Sequence, residues 1–377
     1  MVTVEQIDPG DKKQVNRFIQ IEYMLYEDHP NWVPPILIDR RMQFNKKKHP
    51  FYEHSDADFF IAVKDGEDAG CIAVLENRRY NDYQKKKQAA FYLFDTVEDL
   101  EVAKALFDKA AEWAKARGLT QIVGPKGFGP LDGYGILSEG FEHRQMMTMM
   151  KYNYPYYPQF MEKLGFRTEV DFLSCYFDLA NVRENFPQRI HSIADRVQKR
   201  GKLRVKYFKN KRELSQWGLR VGQAYNKAFI HNWEYYPLTE KEIDFVVENI
   251  LIIADPKLMK VILHEDEVVG FLFSFKDISE GLQKNKGKLF PFGFIHLLWS
   301  LRTTKWISFN GAGILPEFRG MGGNALLYSE MAKSIEEYPF IHGDMPQVAE
   351  TTWEMRQDLK NIGGTPYKNH RVYIKDV

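Results

Sequence analysis

The residues Ile314 to Leu327 read Ile-Leu-Pro-Glu-Phe-Arg-Gly-Met-Gly-Gly-Asn-Ala-Leu-Leu. These types, in this order, suit the holding of a phosphate. Gly320, Gly322 and Gly323 let the backbone come close to a ligand and turn its N–H groups outward. Ala325, Leu326, Leu327, Tyr328 and Met331 then recur at spacings of three and four, which predicts a helix. The start of that helix carries about half a positive charge, and Arg319 carries a full one. Asn324 is small and polar and fits a helix start. Before the glycines, the runs Trp306 to Phe309 and Gly311 to Leu315 read as a strand. No Gly-Lys-Ser/Thr follows, so this is not a nucleoside-triphosphate loop. Gly320 and Gly322 lack the third glycine of a dinucleotide fingerprint.

The stretch Leu315-Pro-Glu-Phe-Arg319-Gly-Met-Gly-Gly-Asn324 resembles the coenzyme A pyrophosphate loop of the GNAT N-acyltransferases. That pattern is Arg or Gln, two residues, Gly, one residue, then Gly or Ala; Asn324 departs from it in the last slot. The resemblance implies that Arg319, Gly320, Met321, Gly322, Gly323, Asn324 and Ala325 hold the pyrophosphate of acetyl-CoA or another acyl-CoA. It implies that the backbone of Gly313, Ile314 and Leu315 pairs with the pantetheine arm. The implied activity is acyl-CoA-dependent N-acyl transfer, acetyl first, by direct attack of an amine on the thioester.

Composition sets the frame. A chain of 377 residues suits two domains, and 44% apolar residues suffice for packed cores. The 27 Phe and 20 Tyr provide large buried surfaces or aromatic pockets. A net charge of +1 gives no strong pull toward nucleic acid or an anionic membrane, so neither is expected as a partner. Cys71 and Cys175 read as buried thiols, and the scattered histidines provide no metal site. No Gly-x-Ser-x-Gly elbow is present. With no signal segment at Met1 and no long apolar run, a cytoplasmic protein is expected.

The sequence repeats itself. Phe60 to Val63, an acidic turn, then Gly70 and Cys71 to Val74 have the layout of Val261 to Leu263, an acidic turn, then Gly270 and Phe271 to Ser274. Each is a predicted β-hairpin. The helix ends at Gly165 and Gly363 fall at nearly the same offset of about 200 residues. Two copies of one α/β fold follow, each a mixed sheet with antiparallel hairpins and a central strand–helix–strand crossover. Together with the resemblance this implies two GNAT-like domains, residues 1–182 and 183–377, each with a sheet splayed between two parallel strands. The first copy has no glycine turn after its strand Ala89 to Phe94. Asp95, Glu98, Asp99 and Glu101 gather there instead, and Thr96 with Asp99 resembles a capping box. That start would repel a diphosphate, so only the second copy is expected to bind the carrier.

Other residues carry possible chemistry. Gly124 to Gly140 is a glycine-rich loop of the kind that lines clefts. Met146 to Tyr157 brings methionines and tyrosines that fit a core or one wall of a substrate cleft. Tyr225, His231, Asn232, Trp233 and Glu234 lie between two predicted helices, a region that borders the acceptor site in the family. Glu350 could take a proton from an attacking ammonium. The family's general-acid tyrosine is replaced by Met161 and Leu359, leaving Tyr367 or Tyr373 as stand-ins. The acceptor is read as a small-molecule or peptide amine. An aminoacyl-tRNA-dependent transferase, a non-catalytic acyl-CoA sensor and an interaction protein that binds no cofactor are the alternatives.

Overall fold

A computed structural model describes residues 1–129, 132–147 and 149–377. Pro130 and Leu131 of the glycine-rich loop and Thr148 of the methionine segment lie outside the described residues. The strands, in chain order, are β1 (Val2–Gln6), β2 (Asp56–Lys64), β3 (Glu67–Glu76), β4 (Gln88–Thr96), β5 (Gln121–Gly124), β6 (Ile136–Glu139) and β7 (Arg167–Asp178). They continue with β8 (Arg204–Lys206), β9 (Met259–His264), β10 (Glu267–Lys276), β11 (Trp306–Ile314), β12 (His342–Ala349) and β13 (Thr365–Asp376).

The chain divides into two compact units. One comprises Met1–Leu173, Ser279–Leu298 and Tyr367–Val377; the other comprises Ser174–Ile278 and Trp299–Pro366. The first division falls between Leu173 and Ser174, within β7, and two segments from late in the chain, residues 279–298 and 367–377, also lie in the first unit. Both units have the mixed α/β architecture expected from the repeat.

In the first unit β1, β2, β3 and β4 pair antiparallel in sequence. The β2–β3 turn is two residues long, with Asp65 and Gly66 both at positive φ, the backbone that matches strand twist. β4 then pairs parallel with β5, but only from Gln88↔Gln121 to Ala90↔Val123. Beyond Ala90 the two strands part, and β13 runs antiparallel to β5 from Tyr373↔Gly124 to Asp376↔Gln121. Helix Leu100–Ala116 returns across one face, burying Val102, Ala103, Leu106, Phe107, Ala110 and Trp113 at helical spacing. Phe91 meets Phe107 edge-on at 5.0 Å, and Phe44 stacks on Phe59 at 4.3 Å. Each such buried ring contributes roughly 1.5–3 kcal/mol.

The second unit repeats this plan with β8, β9, β10 and β11 antiparallel in spatial order. β11 pairs parallel with β12 from Trp306↔His342 to Ser308↔Asp344 and then diverges. Both units carry the same irregularity at the mouth of the splay. In β11 the register shifts at Gly311, φ +71, and in β4 it shifts at Leu93, φ +47. A bulge of this kind inserts one residue and bends the strand away from its neighbour. Its recurrence at the same place in both sheets is independent support for the duplication.

One sequence expectation changes. Thr96 is not a helix cap: it lies in β4, and its Oγ1 donates to the carbonyl of Val97. The cap is Asp99, whose carboxylate accepts from the N–H of Glu101 at 2.9 Å. Asp95 is likewise not at the helix start but buried within β4.

Candidate functional site

In the second unit, β11 ends at Ile314, one 3-10 turn spans Pro316–Phe318, and helix Gly323–Ile335 follows. The turn closes with Phe318 N–H to the carbonyl of Leu315 and Arg319 N–H to that of Pro316. The first bond of the helix proper is Leu326 N–H to the carbonyl of Gly322, 3.1 Å. Among the described residues, the N–H groups of Gly320, Met321, Gly322, Gly323, Asn324 and Ala325 donate to no backbone or side-chain acceptor, and no side chain caps the helix. Such unsatisfied donors at a helix start make a cradle of the kind that suits an anion.

The glycines are there for stated reasons. Gly322 sits at φ +84, and a Cβ on it would lie 2.7 Å from Val197 of helix Gln188–Arg200. A Cβ on Gly323 would lie 2.6 Å from Cδ1 of Ile314, so the helix start rests directly on β11. Arg319 holds the turn rather than projecting freely. Its Nε donates to the carbonyl of Ile314 at 3.4 Å and its Nη2 to that of Ala228 at 3.2 Å. Asn324 reaches across to Asp358, Nδ2 to Oδ2 2.9 Å. Leu315 spends its N–H on the carbonyl of Val269, which leaves Gly313 and Ile314 as the strand residues next to the divergence. A Cβ on Gly313 would lie 2.8 Å from Phe271.

Polar side chains that the sequence reading passed over stand on the two diverging strands. Asn310 precedes the bulge; its Nδ2 donates to Ser308 Oγ, and its buried Oδ1 has no partner. Gln347, at φ +61, has a buried Oε1 without a partner. Asp344 is fully buried where pairing stops. The Cys175 thiol is pushed up to about 11 by burial and then by Asp344. The available signal was polar residues among apolar strand neighbours, Ser308 and Asn310 in β11 and Asp344 and Gln347 in β12.

The residues between helices Gly218–Ala228 and Glu240–Ile253 form an ordered loop. Asn226 braces it through both amide groups to Leu238, 2.9 Å each, and Tyr235 donates to the carbonyl of Asn226. Tyr225 packs against Phe229 at 4.7 Å and Phe271 at 6.3 Å, on the side of the sheet nearest Gly313. His231 and Asn232 are exposed, while Trp233 and Glu234 are half-buried, Glu234 at φ +65. Glu350 is exposed just past the end of β12, its carbonyl accepting from Arg356. Tyr367 lies in the first unit, edge-on to His143 at 5.0 Å. Tyr373 is buried, its hydroxyl pushed up to about 12 by burial.

The splay of the first unit is filled by its own chain. Lys151 Nζ lies 2.5 Å from Asp95 and 3.3 Å from Glu22, and Glu22 also pairs with the buried Arg40 at 3.1 Å. Burial raises Glu22, but Lys151 and then Arg40 draw it below the usual carboxylate range; for Asp95 burial prevails and the carboxyl is raised. Tyr157 accepts from Tyr26 Oη at 2.7 Å and from the N–H of Thr96 at 2.9 Å. A cavity of about 40 Å³ remains among Tyr92, Asp95, Tyr134, Lys151, Asn153 and Tyr157. Among the described residues no group of side chains has the makeup of a metal site, and no helix is long and apolar enough to cross a membrane.

Two splayed mixed sheets, each bent at the strand that precedes the crossover helix, make this the fold of the tandem GNAT proteins. A tandem GNAT protein from the clavulanic acid biosynthesis pathway matches the whole chain and 98% of its own, with a TM-score of 0.58 at 10% identity. A GCN5-related N-acetyltransferase from Sphaerobacter thermophilus matches with a TM-score of 0.53 at 12% identity, covering 100% and 95% of the two chains. In sequence, the chain is 26% identical to Protein YghO of Escherichia coli over 377 residues, covering 97% of this chain and 94% of that protein. It is 27% identical to the bacterial ceramide synthase of Caulobacter vibrioides over 372 residues, covering 96% and 94%. No family model matches the chain.

Proposed function

We propose that the protein is an acyl-CoA-dependent N-acyltransferase whose donor site is the splay of the second unit. The observation that carries this is the run of N–H groups from Gly320 to Ala325, which the chain itself leaves without acceptors. Those donors and the helix start suit a diphosphate. The parted strands β11 and β12 suit an extended arm laid against the free edge of β11 beyond Ser308.

A bound acyl thioester would supply the activated carbonyl. The chain's part is to fix it: Arg319 ties the turn to β11 and to the helix ending at Ala228. The bulge at Gly311 bends β11 just beyond its last pair with β12. Holding the two reactants in line is worth several kcal/mol of barrier. A ceramide is a fatty amide of a long-chain amino alcohol, so the likeness to a bacterial ceramide synthase makes a long-chain amine the acceptor class to test first. A fatty acyl group accordingly replaces acetyl as the leading donor.

The test has two stages. Calorimetry with coenzyme A should give one site per chain, and Gly322→Asp should remove it. Thiol release should then be followed with acetyl-CoA and palmitoyl-CoA against sphinganine, small amines and a peptide N-terminus. Turnover with palmitoyl-CoA and sphinganine supports the whole reading. Binding without turnover on any amine leaves a sensor, and no binding ends the proposal.

A further inference from the structure

The connection from β10 to β11 is far longer than its counterpart between β3 and β4, where one helix, Arg78–Gln84, suffices. In the second copy it comprises helix Ser279–Asn285, a loop, and helix Gly293–Thr303. Its first part is firmly held within the first unit. Gln283 Nε2 donates to the carbonyls of Pro30 and Trp32, at 2.9 and 2.8 Å. Tyr23 Oη donates to the carbonyl of Lys286, and Leu37 N–H to that of Gly287. A Cβ on Gly287 would lie 2.1 Å from the carbonyl oxygen of Pro35.

Past this anchor the chain turns apolar and uncovered. Phe290 and Phe292 are 74% and 70% exposed. On the helix, Phe294, Ile295, Leu298 and Trp299 are exposed too, Trp299 at 61%. Their spacing puts them on one face, and Leu297 and Ser300 on the other are buried. Burying such a set in water-free surroundings is favourable, and leaving it in water is costly.

The charges along this connection are mostly positive, its two acids, Asp277 and Glu280, standing at its start. From Gly281 to Pro316 there are Lys284, Lys286, Lys288, Arg302 and Lys305, and no Asp or Glu. Lys286 is paired with Glu27 at 3.1 Å, and the other four are exposed. The rest of the chain carries four more acids than bases, so this local excess is hidden in the net charge of +1. Aromatic rings backed by lysines are the composition of an element that lies in the headgroup layer of an anionic bilayer. A helix of 11 residues is about 16 Å long, which is too short to span a bilayer.

We propose that Phe290 to Trp299 is a membrane-docking element that seats the protein on an anionic lipid surface. The assignment rests on this surface alone and not on the acyl-transfer reading.

The experiment is sedimentation of the full chain with vesicles of phosphatidylcholine, with and without phosphatidylglycerol. Binding should require phosphatidylglycerol and weaken with salt. The combined variant Phe290→Ser, Phe292→Ser and Leu298→Ser should lower the bound fraction about tenfold or more. Lys284→Glu with Lys288→Glu should abolish the preference for phosphatidylglycerol. Coenzyme A calorimetry and melting temperature, both unchanged in these variants, would show that the fold is intact. Equal vesicle binding by wild type and the apolar variant overturns the proposal. So does a wild-type dimer in light scattering that the apolar variant dissolves while no vesicle binding is seen.

Discussion

The two splayed sheets share a plan and differ in what fills them. Both part after three parallel residue pairs, and both bend at a residue of positive φ. In the first, Lys151, Asp95 and Glu22 occupy the gap, and Asp99 satisfies the start of the crossover helix. In the second, Asn310 and Gln347 keep unpaired oxygens and the helix start keeps its N–H groups. The lesson is that capping and anion binding draw on the same donors. A sequence that settles a helix end internally forgoes a ligand there, and one that binds a ligand leaves the end unsettled.

The comparison can be broken at several points. Lys151→Met should cost the most, about 3 kcal/mol in urea unfolding, because Asp95 and Glu22 lose their shared cation. A loss under about 1 kcal/mol would mean that water already screens this cluster. Next is Gly322→Asp, which gives the second helix start a carboxylate like that of the first. Coenzyme A affinity should fall about a hundredfold by calorimetry, roughly 2.7 kcal/mol.

His370 sharpens the contrast through pH. It is buried on β13 in the first unit, its Nε2–H donates to the carbonyl of Lys151 at 3.0 Å, and Nδ1 has no partner. Burial, and then Lys368, push it down to about 3. The unfolded chain therefore takes up a proton that the folded chain refuses. Stability from this residue is complete above the ordinary histidine range near pH 6.5 and is lost as pH falls toward 3. Urea midpoints should drop between pH 7 and 4 in the wild type and drop less in His370→Gln; parallel curves would dismiss the assignment. The smallest effect is Asp99→Ala, about 1 kcal/mol for a lost cap. It should not create a coenzyme A site, because no glycine turn precedes that helix.

How much of this was legible in the sequence depends on distance along the chain. The cradle was legible because Arg319 and the glycines are contiguous, and the hairpins because each is joined by a two-residue turn. The splays followed once the repeat was seen. Glu22, Asp95 and Lys151 escaped because they come from three separate segments, and nothing local marks Asp95 as a sheet residue rather than part of an acidic helix start. The exposure of the aromatic helix was not legible because an apolar run reads the same whether it is buried or uncovered.

The placement of Tyr367–Val377 in the first unit has a consequence for biosynthesis. The amino-terminal sheet lacks the neighbour of β5 until residues 367–377 have been made, some 240 residues after β5 itself. A premature stop just before Tyr367 would spare the cradle and instead deprive the earliest-made portion of the strand beside β5.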